Sequence, residues 1–289
     1  MASPKNYLSL IKFSHTIFAL PFALIGFFYA IWTTSASFSW ILLAQVLLCM
    51  IFVRSAAMAF NRYLDRDIDT ANPRTAEVRE IPLGVISPKA ALIFVVANSV
   101  LFIATTYFIN TLVFALSPIA LAITLGYSYT KRFTSLCHLV LGLGLSLAPI
   151  GAYLAVTGEF ATVPVLFGLA VLSWVSGFDI IYALQDDEFD RSNNLHSIPV
   201  RFERIGAIKI STGLHVFTFI MLGCAGYAGN FAWFYWAGYL IFSAMLLLQH
   251  RLVKPNDLSK VNLAFMTTNG IASLVFGILT VLDLYLFSV

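Results

Sequence analysis

Nine stretches of about 20 apolar residues, parted by short polar or charged segments, constrain this chain more than any other feature. They run roughly Ile17–Thr33, Phe38–Phe60, Ala90–Ile109, Leu112–Tyr129, Leu136–Val156, Val163–Ala183, Ala207–Tyr227, Phe231–Leu248 and Phe265–Leu286. A helix of about 20 residues crosses the hydrocarbon core of a bilayer. In lipid every backbone N–H and C=O must be paired inside the protein, which leaves helices as the way to span. The chain is 60% hydrophobic and 11% charged, against about 25% charged residues in a soluble domain. The expected fold is an all-α membrane protein of nine transmembrane helices. The third and fourth spans are divided only by the turn around Asn110. The first run lacks a small-residue cleavage site and continues as Pro21-Phe22-Ala23-Leu24, so it reads as the first span and not as a signal peptide.

The charges agree with this division. Numbering the spans in order places all 17 Lys and Arg on or near the side that holds the N-terminus: Lys5 and Lys12, Arg54 to Lys89, Lys131 and Arg132, Arg191 to Lys209, and Arg251 to Lys260. The opposite side carries only Glu159 and, near the end of the last span, Asp283. By the positive-inside rule the N-terminus and the long loops are cytoplasmic. The expected location is the cell (inner) membrane, crossed many times, with no nucleic-acid partner. Cys49, Cys137 and Cys224 stand alone in apolar runs, without metal or redox spacing, and read as buried small residues.

Two triplets share one spacing: Asn61, Asp65, Asp69 and Tyr182, Asp186, Asp190. Each lies where an apolar run becomes a charged loop, after the second and the sixth span. On a helix, positions i, i+4 and i+8 share one face, a turn apart. Mg²⁺ is bound by one or two carboxylates together with substrate phosphates, so the two Asp-rich inner loops, Asn61–Lys89 and Leu184–Lys209, are read as a site for a metal-bound diphosphate at the membrane edge. Arginines follow each triplet and can bind phosphate oxygens in bidentate fashion. Had only one triplet been present, a solvated loop of mutually paired charges would explain it equally well. The offset of 121 residues between the triplets suggests one membrane domain over 1–289 built of two four-helix halves, about 1–135 and 136–264, with a ninth helix added.

Further candidates flank the triplets. The segment Gly126-Tyr127-Ser128-Tyr129-Thr130-Lys131-Arg132 ends the fourth span on the inner side, where Lys131 can neutralise a leaving diphosphate or simply anchor the span. Arg54 and Asp179 each precede a triplet residue, Asn61 and Asp186, by seven positions, placing them two turns, roughly 10 Å, deeper. Charges inside a membrane are costly and mark function. Arg54 is the candidate for an anionic group on a second substrate; the alternative is an ion pair with Asp179. His196 is a candidate proton acceptor or a loop hydrogen bonder. His15 is expected at the start of the first span in an interfacial role, and no role is assigned to His138, His215 or His250.

On these residues the chain resembles the UbiA superfamily of intramembrane prenyltransferases over essentially its whole length. The resemblance rests on N-x-x-x-D-x-x-x-D at Asn61, Asp65 and Asp69, D-x-x-x-D at Asp186 and Asp190, Y-x-x-x-K at Tyr127 and Lys131, and the nine spans. H-T-I-F-A-L-P-F-A from His15, N-P-R-T from Asn72, R-E-I-P-L-G from Arg79 and L-H-S-I-P from Leu195 look like the 4-hydroxybenzoate polyprenyltransferase branch, which has relatives on a menaquinone route. It implies a helical bundle around a central cavity open to lipid, two diphosphate-bridged Mg²⁺ ions, a polyprenyl diphosphate donor and an aromatic acid acceptor. It makes Asn61, Asp65, Asp69, Asp186 and Asp190 the metal set, with the four aspartates and Lys131 catalytic. Diphosphate would be held by Asn61, Arg74, Arg79, Tyr127 and Lys131, and the acceptor by Arg54, Asp179, Tyr182 and His196. Two positions depart from the family pattern. Arg62 stands where many members have Asp, and Glu203 where relatives often have Gly after V-R-F.

The implied reaction ionises the allylic C–O bond, aided by electrostatic stabilisation of the departing diphosphate, in a cavity poor in water. The ring then attacks ortho to its phenol, and an Asp of the second triplet or the released diphosphate takes the ring proton. Other readings stay open: a prenyltransferase for a naphthoate-like, homogentisate, haem or lipid-alcohol acceptor, or a divalent-cation transporter. A transporter's carboxylates belong near mid-membrane in broken helices, whereas these cluster at the inner surface. A CDP-alcohol phosphotransferase would show D-G-x-x-A-R, which is missing.

Overall fold

The computed structural model describes residues 3–12, 18–34 and 36–287, and among them helices are the only extended elements, with one lone bridge between Lys254 and Asp257. His15 and Ile17 lie outside the described residues. Seven stretches are long and apolar enough to cross a bilayer: Trp40–Leu64, Pro88–Tyr107, Thr111–Thr130, Cys137–Thr157, Thr162–Ser192, Ile198–Ala228 and Val261–Phe287. The other two expected spans coincide with the shorter apolar helix Leu20–Thr34 and with Trp233–Leu252, whose last turn carries His250 and Arg251. The chain divides into two compact units, Met1–Thr16 with Ile41–Tyr129, and Ile17–Trp40 with Thr130–Val289.

In the first unit α1 (Pro4–Leu10) precedes α3 (Trp40–Leu64), α4 (Arg66–Ala71), α5 (Pro73–Ala76), α6 (Pro88–Tyr107) and α7 (Thr111–Thr130), while α2 (Leu20–Thr34) belongs to the other unit. Leu10 and Ile11 pack with Ala56 and Ala59 of α3 and with Ala91 and Val95 of α6. Tyr7 stacks on Phe94 at 5.0 Å. Ser87 starts α6 by accepting the Ala90 N–H at 3.2 Å, with Pro88 in the first turn, where a missing N–H costs nothing.

The second unit holds α2 (Leu20–Thr34), α8 (Cys137–Thr157), α9 (Thr162–Ala183), α10 (Asp187–Ser192), α11 (Ile198–Ala228), α12 (Trp233–Leu252), α13 (Val261–Leu263) and α14 (Asn269–Phe287). At its centre α9 packs between α8 and α11, α2 lies on α8, and α12 pairs with α14. Trp174 of α9 is fully buried among Phe22, Phe178 and Phe242, and its Nε1–H donates to Asn269 Oδ1 at 2.9 Å. Lipid offers no hydrophobic drive between helices, so close packing and interhelical hydrogen bonds hold them, the latter worth about 0.6 kcal/mol each on average. Three such contacts clamp α9: Ser173 to Thr218 at 2.8 Å, Ser176 Oγ to the His138 carbonyl at 3.1 Å, and Ser211 Oγ to the Gly177 carbonyl at 2.7 Å. Gly142 lets α8 approach so closely that a Cβ there would collide with the Leu172 carbonyl.

The inner loops differ in detail from the expectation. The first is not open coil: α4 and α5 fold it back on itself. The second is shorter than 184–209, because α11 already begins at Ile198, capped by Ser197 Oγ accepting the Val200 N–H at 3.3 Å. Arg201 to Lys209 therefore lie within α11, apart from a kink at Glu203. Pro118 and Pro149 sit inside α7 and α8, while Pro21 and Pro164 lie in the first turns of α2 and α9.

Candidate active site

In the first acidic motif the helix does not run straight through. α3 ends at Leu64, and Asp65 leaves the helical region at φ −88°, ψ 10°. Backbone bonds still bridge the break, from Asp65 N–H to the Asn61 carbonyl at 2.9 Å and from Asp69 N–H to the Asp65 carbonyl at 2.7 Å. The three side chains thus stay one turn apart. Asn61 donates Nδ2–H to Asp65 Oδ2 at 2.9 Å and accepts from Arg62 Nη1 at 3.1 Å. That pairing fixes its amide, since a flip would oppose two donors on one side and two acceptors on the other. Arg62, the departure noted in the sequence, is buried and occupies the Asn61 oxygen expected on a metal.

Asp69 is buried and ion-paired with Arg79. The fold-back that brings Arg79 to it is built locally. Asn72 caps α5 by accepting the Arg74 N–H at 2.9 Å, and Thr75 Oγ1 donates to the Asp69 carbonyl at 2.9 Å. Arg79 takes Asp69 Oδ1, while Oδ2 is buried with no hydrogen-bond partner. The Arg74 side chain is exposed.

In the second motif the expected single-helix ladder is broken more sharply. α9 stops at Ala183, a 3₁₀ turn covers Leu184–Asp186, and α10 begins at Asp187. Tyr182, half-buried, lies against Phe265 with ring centroids 4.4 Å apart. Asp186 is half-buried, and Asp190 is buried with Lys131 Nζ 2.8 Å from its Oδ1. Asp187 is gripped by Arg204 at 2.6 and 2.9 Å, tying α10 to α11. The His196 ring is exposed, while its backbone N–H donates to the Lys131 carbonyl at 2.8 Å.

The sequence profile of the UbiA prenyltransferase family matches residues 19–271. The chain belongs to the UbiA prenyltransferase family. It is 31% identical to a 4-hydroxybenzoate octaprenyltransferase of Aeromonas salmonicida (strain A449), over 86% of each chain. A solved UbiA homolog from Aeropyrum pernix K1, 30% identical, superposes with a TM-score of 0.79 over 92% of this chain and 95% of that one. A UbiA homolog from Archaeoglobus fulgidus, solved with DMAPP and Mg²⁺, shares the fold at 24% identity and a TM-score of 0.75, covering 98% of this chain and 100% of its own. This UbiA protein is an integral membrane transferase of prenyl groups.

The donor set of this UbiA enzyme suits a hard cation. A desolvated carboxylate oxygen without a partner is costly in a protein interior, and Asp69 Oδ2 is such an atom. Among the described residues no three His, Cys, Asp or Glu side chains enclose a metal.

Arg54 of α3 and Asp179 of α9 each have a polar contact within their own unit. Arg54 reaches the Lys12 carbonyl with Nη2 at 3.4 Å, and its Nε is buried without a partner. Asp179 Oδ2 lies 2.7 Å from His138 Nδ1. Tyr127 is half-buried in the last turn of α7. His138 and Arg204 were given no part by the sequence. A histidine just past the Lys131 segment was the available signal for the first, and an arginine 17 residues after Asp187 gave none for the second.

Proposed function

We propose that this chain transfers a polyprenyl group from polyprenyl diphosphate to the ring of an aromatic acid, 4-hydroxybenzoate, in a Mg²⁺-dependent step of quinone (ubiquinone or menaquinone) biosynthesis. The observation that carries the donor half is Asp69, buried with Arg79 on one oxygen and nothing on the other. That half-site offers a carboxylate to a cation and a guanidinium to an oxyanion. The acceptor half is supported by the similarity to 4-hydroxybenzoate octaprenyltransferases.

In this reading Asp65, Asp69 and Asn61 hold one Mg²⁺, and Asp186 and Asp190 a second. When bound, the ions offset the charge of the departing diphosphate. Arg79, Lys131 and Arg74 bind its oxygens, with Tyr127 beside them. Arg54, whose buried Nε lacks a partner, receives the acceptor carboxylate, and Tyr182 and His196 flank the acceptor. The allylic C–O bond breaks with its electron pair leaving on the diphosphate, and the ring carbon ortho to the hydroxyl forms the new C–C bond. The reading also takes nine spans, the seven long apolar stretches with Leu20–Thr34 and Trp233–Leu252, in two four-helix halves plus a ninth. The basic residues support a cytoplasmic N-terminus and loops in the inner membrane.

The test is incubation of purified protein with Mg²⁺, geranyl diphosphate and 4-hydroxybenzoate, read by mass spectrometry. The ring-prenylated acid, lost on chelation with EDTA, is expected. Diphosphate release without that product moves the search to other acceptors, and neither product nor release overturns the reading.

A further inference from the structure

The intramembrane carboxylate Asp179 is held by a chain of contacts the donor site does not need. His138 sits at the second position of α8 and is buried. Its Nε2 accepts the Ile198 N–H at 3.3 Å, from the first turn of α11, and its Nδ1 lies 2.7 Å from Asp179 Oδ2. An N–H pointed at Nε2 requires a lone pair there, so the ring proton sits on Nδ1 and donates to Asp179. The imidazole is an oriented donor to Asp179.

The rest of the network fixes this histidine in place. Ser176 Oγ donates to its carbonyl at 3.1 Å. Next to it, Cys137 Sγ lies 3.5 Å from the His196 carbonyl, and His196 N–H returns to Lys131. The second inner loop, α8 and α9 are thereby locked around one bond. Asp179 itself is not closed off: its side chain is a quarter exposed, and Oδ2 carries its one hydrogen bond. Tyr182 follows three residues later on the same face of α9. An intramembrane carboxylate oriented through one oxygen and open at the other is arranged to receive a hydroxyl.

We propose that His138 is a positioning residue that aims Asp179 at the hydroxyl group of the aromatic acceptor, an inference that rests on the aromatic-prenyltransferase reading above. The free Asp179 oxygen takes the phenolic O–H hydrogen bond and then its proton as the ring attacks. The electron pair of the O–H bond moves into the ring, the ortho carbon bonds to the allylic carbon, and a cyclohexadienone forms. Loss of the ortho C–H proton to the released diphosphate restores the aromatic ring. Asp179 returns its proton to the oxygen, leaving prenylated phenol and protonated diphosphate.

The test compares His138→Leu with His138→Asn in transfer of a geranyl group to 4-hydroxybenzoate. Asparagine can place its amide N–H where Nδ1–H stands; leucine cannot. His138→Leu is expected to lower kcat by about 10- to 100-fold, the range for removing an orienting partner, with KM for geranyl diphosphate unchanged, and His138→Asn to recover most of the rate. Asp179→Asn, which still accepts from His138 but cannot take a proton, covers the case of a His138→Leu protein that fails to fold. It is expected to lose about 100-fold or more with its unfolding midpoint preserved. Wild-type rates in Asp179→Asn, or equal losses in both His138 variants, overturn the inference while leaving the acceptor reading standing. Wild-type protein that releases diphosphate yet prenylates no hydroxybenzoate overturns both.

Discussion

Asp69 and Arg79 lie ten residues apart and meet because α4 and α5 fold the chain between them back on itself. The pair leaves Asp69 Oδ2 buried and unpartnered. Arginine balances one oxygen of the carboxylate, and in the proposed function the other receives a cation. An ordinary buried ion pair would saturate both oxygens; this one is half-complete.

Arg79→Ala is therefore expected to leave a buried charge uncompensated. Removing one partner of a buried pair costs about 3–5 kcal/mol, and the part-exposed guanidinium here sets about 3 kcal/mol as the expected figure. Mg²⁺ should restore part of that loss, because a ligand that binds only the folded state stabilises it by mass action. Thermal unfolding in detergent, with and without Mg²⁺, measures both effects. Equal Mg²⁺ shifts in wild type and variant would sink the idea that Asp69 receives the ion.

How far the sequence reaches can be judged at particular residues. Seven spans were legible because hydrocarbon enforces length and composition, although α11 begins at Ile198, nine residues before the expected Ala207. The motif residues were legible because i+4 spacing survives even across the break at Asp65, where two backbone bonds carry the turn. The 3₁₀ turn at Leu184–Asp186 was not, because nothing in Leu184-Gln185-Asp186 distinguishes it from a continuing helix. His138 escaped notice because its partners, Asp179 and Ile198, are 41 and 60 residues away. Such pairings follow from packing, which a linear pattern does not encode. Seven of the spans pass on length and hydropathy alone; Trp233–Leu252 ends in polar residues that seat it against its neighbours, Gln249 Nε2 donating to the Ala264 carbonyl at 3.3 Å.

Lys131 and Asp190 allow structural and chemical roles to be separated. Asp190 is 1% exposed with Lys131 at 2.8 Å. Lys131→Met should destabilise the protein by about 3 kcal/mol, leaving a buried carboxylate alone. Adding Asp190→Asn should return most of that stability, since the two changes act on one interaction, yet prenyl transfer should stay lost. Unfolding midpoints and turnover of the two single variants and the double variant check this. Activity that returns with stability would reduce Lys131 to a structural anchor.

Asp283 was visible in the sequence only as a stray charge on the outer side. Its carboxylate caps α12, accepting from Ala232 N–H at 2.7 Å, Phe234 N–H at 2.9 Å and Tyr235 N–H at 3.2 Å. Hydrogen bonds to a charged group are worth about 1.5–3 kcal/mol, and an acid at a helix N-terminus also meets the helix dipole favourably. Asp283→Asn turns an amide donor toward one of these N–H groups and should cost about 2 kcal/mol. Turnover per folded molecule should be unaltered. A lowered denaturation midpoint with unchanged specific activity is the expected pair of results, and an unchanged midpoint would remove Asp283 from the account of how α12 begins.

Glu203 makes the most direct link between a sequence anomaly and a backbone cost. The family resemblance noted in the sequence puts glycine at this position, and the Glu203 backbone has φ 58° and ψ 172° at a kink that divides α11 into two helical stretches. That region is essentially reserved for glycine, and occupying it costs about 1–3 kcal/mol. The side chain is exposed, so no buried contact offsets the strain. Glu203→Gly should relieve it, less the roughly 0.5–1 kcal/mol that glycine loses in chain entropy. A net gain of about 1 kcal/mol in unfolding free energy follows. Glu203→Ala, which removes the carboxylate but keeps a Cβ, should gain nothing. Equilibrium denaturation of the three proteins decides it: equal gains in both variants would trace the effect to charge, and no gain in either would show that α11 relaxes around Glu203 without strain.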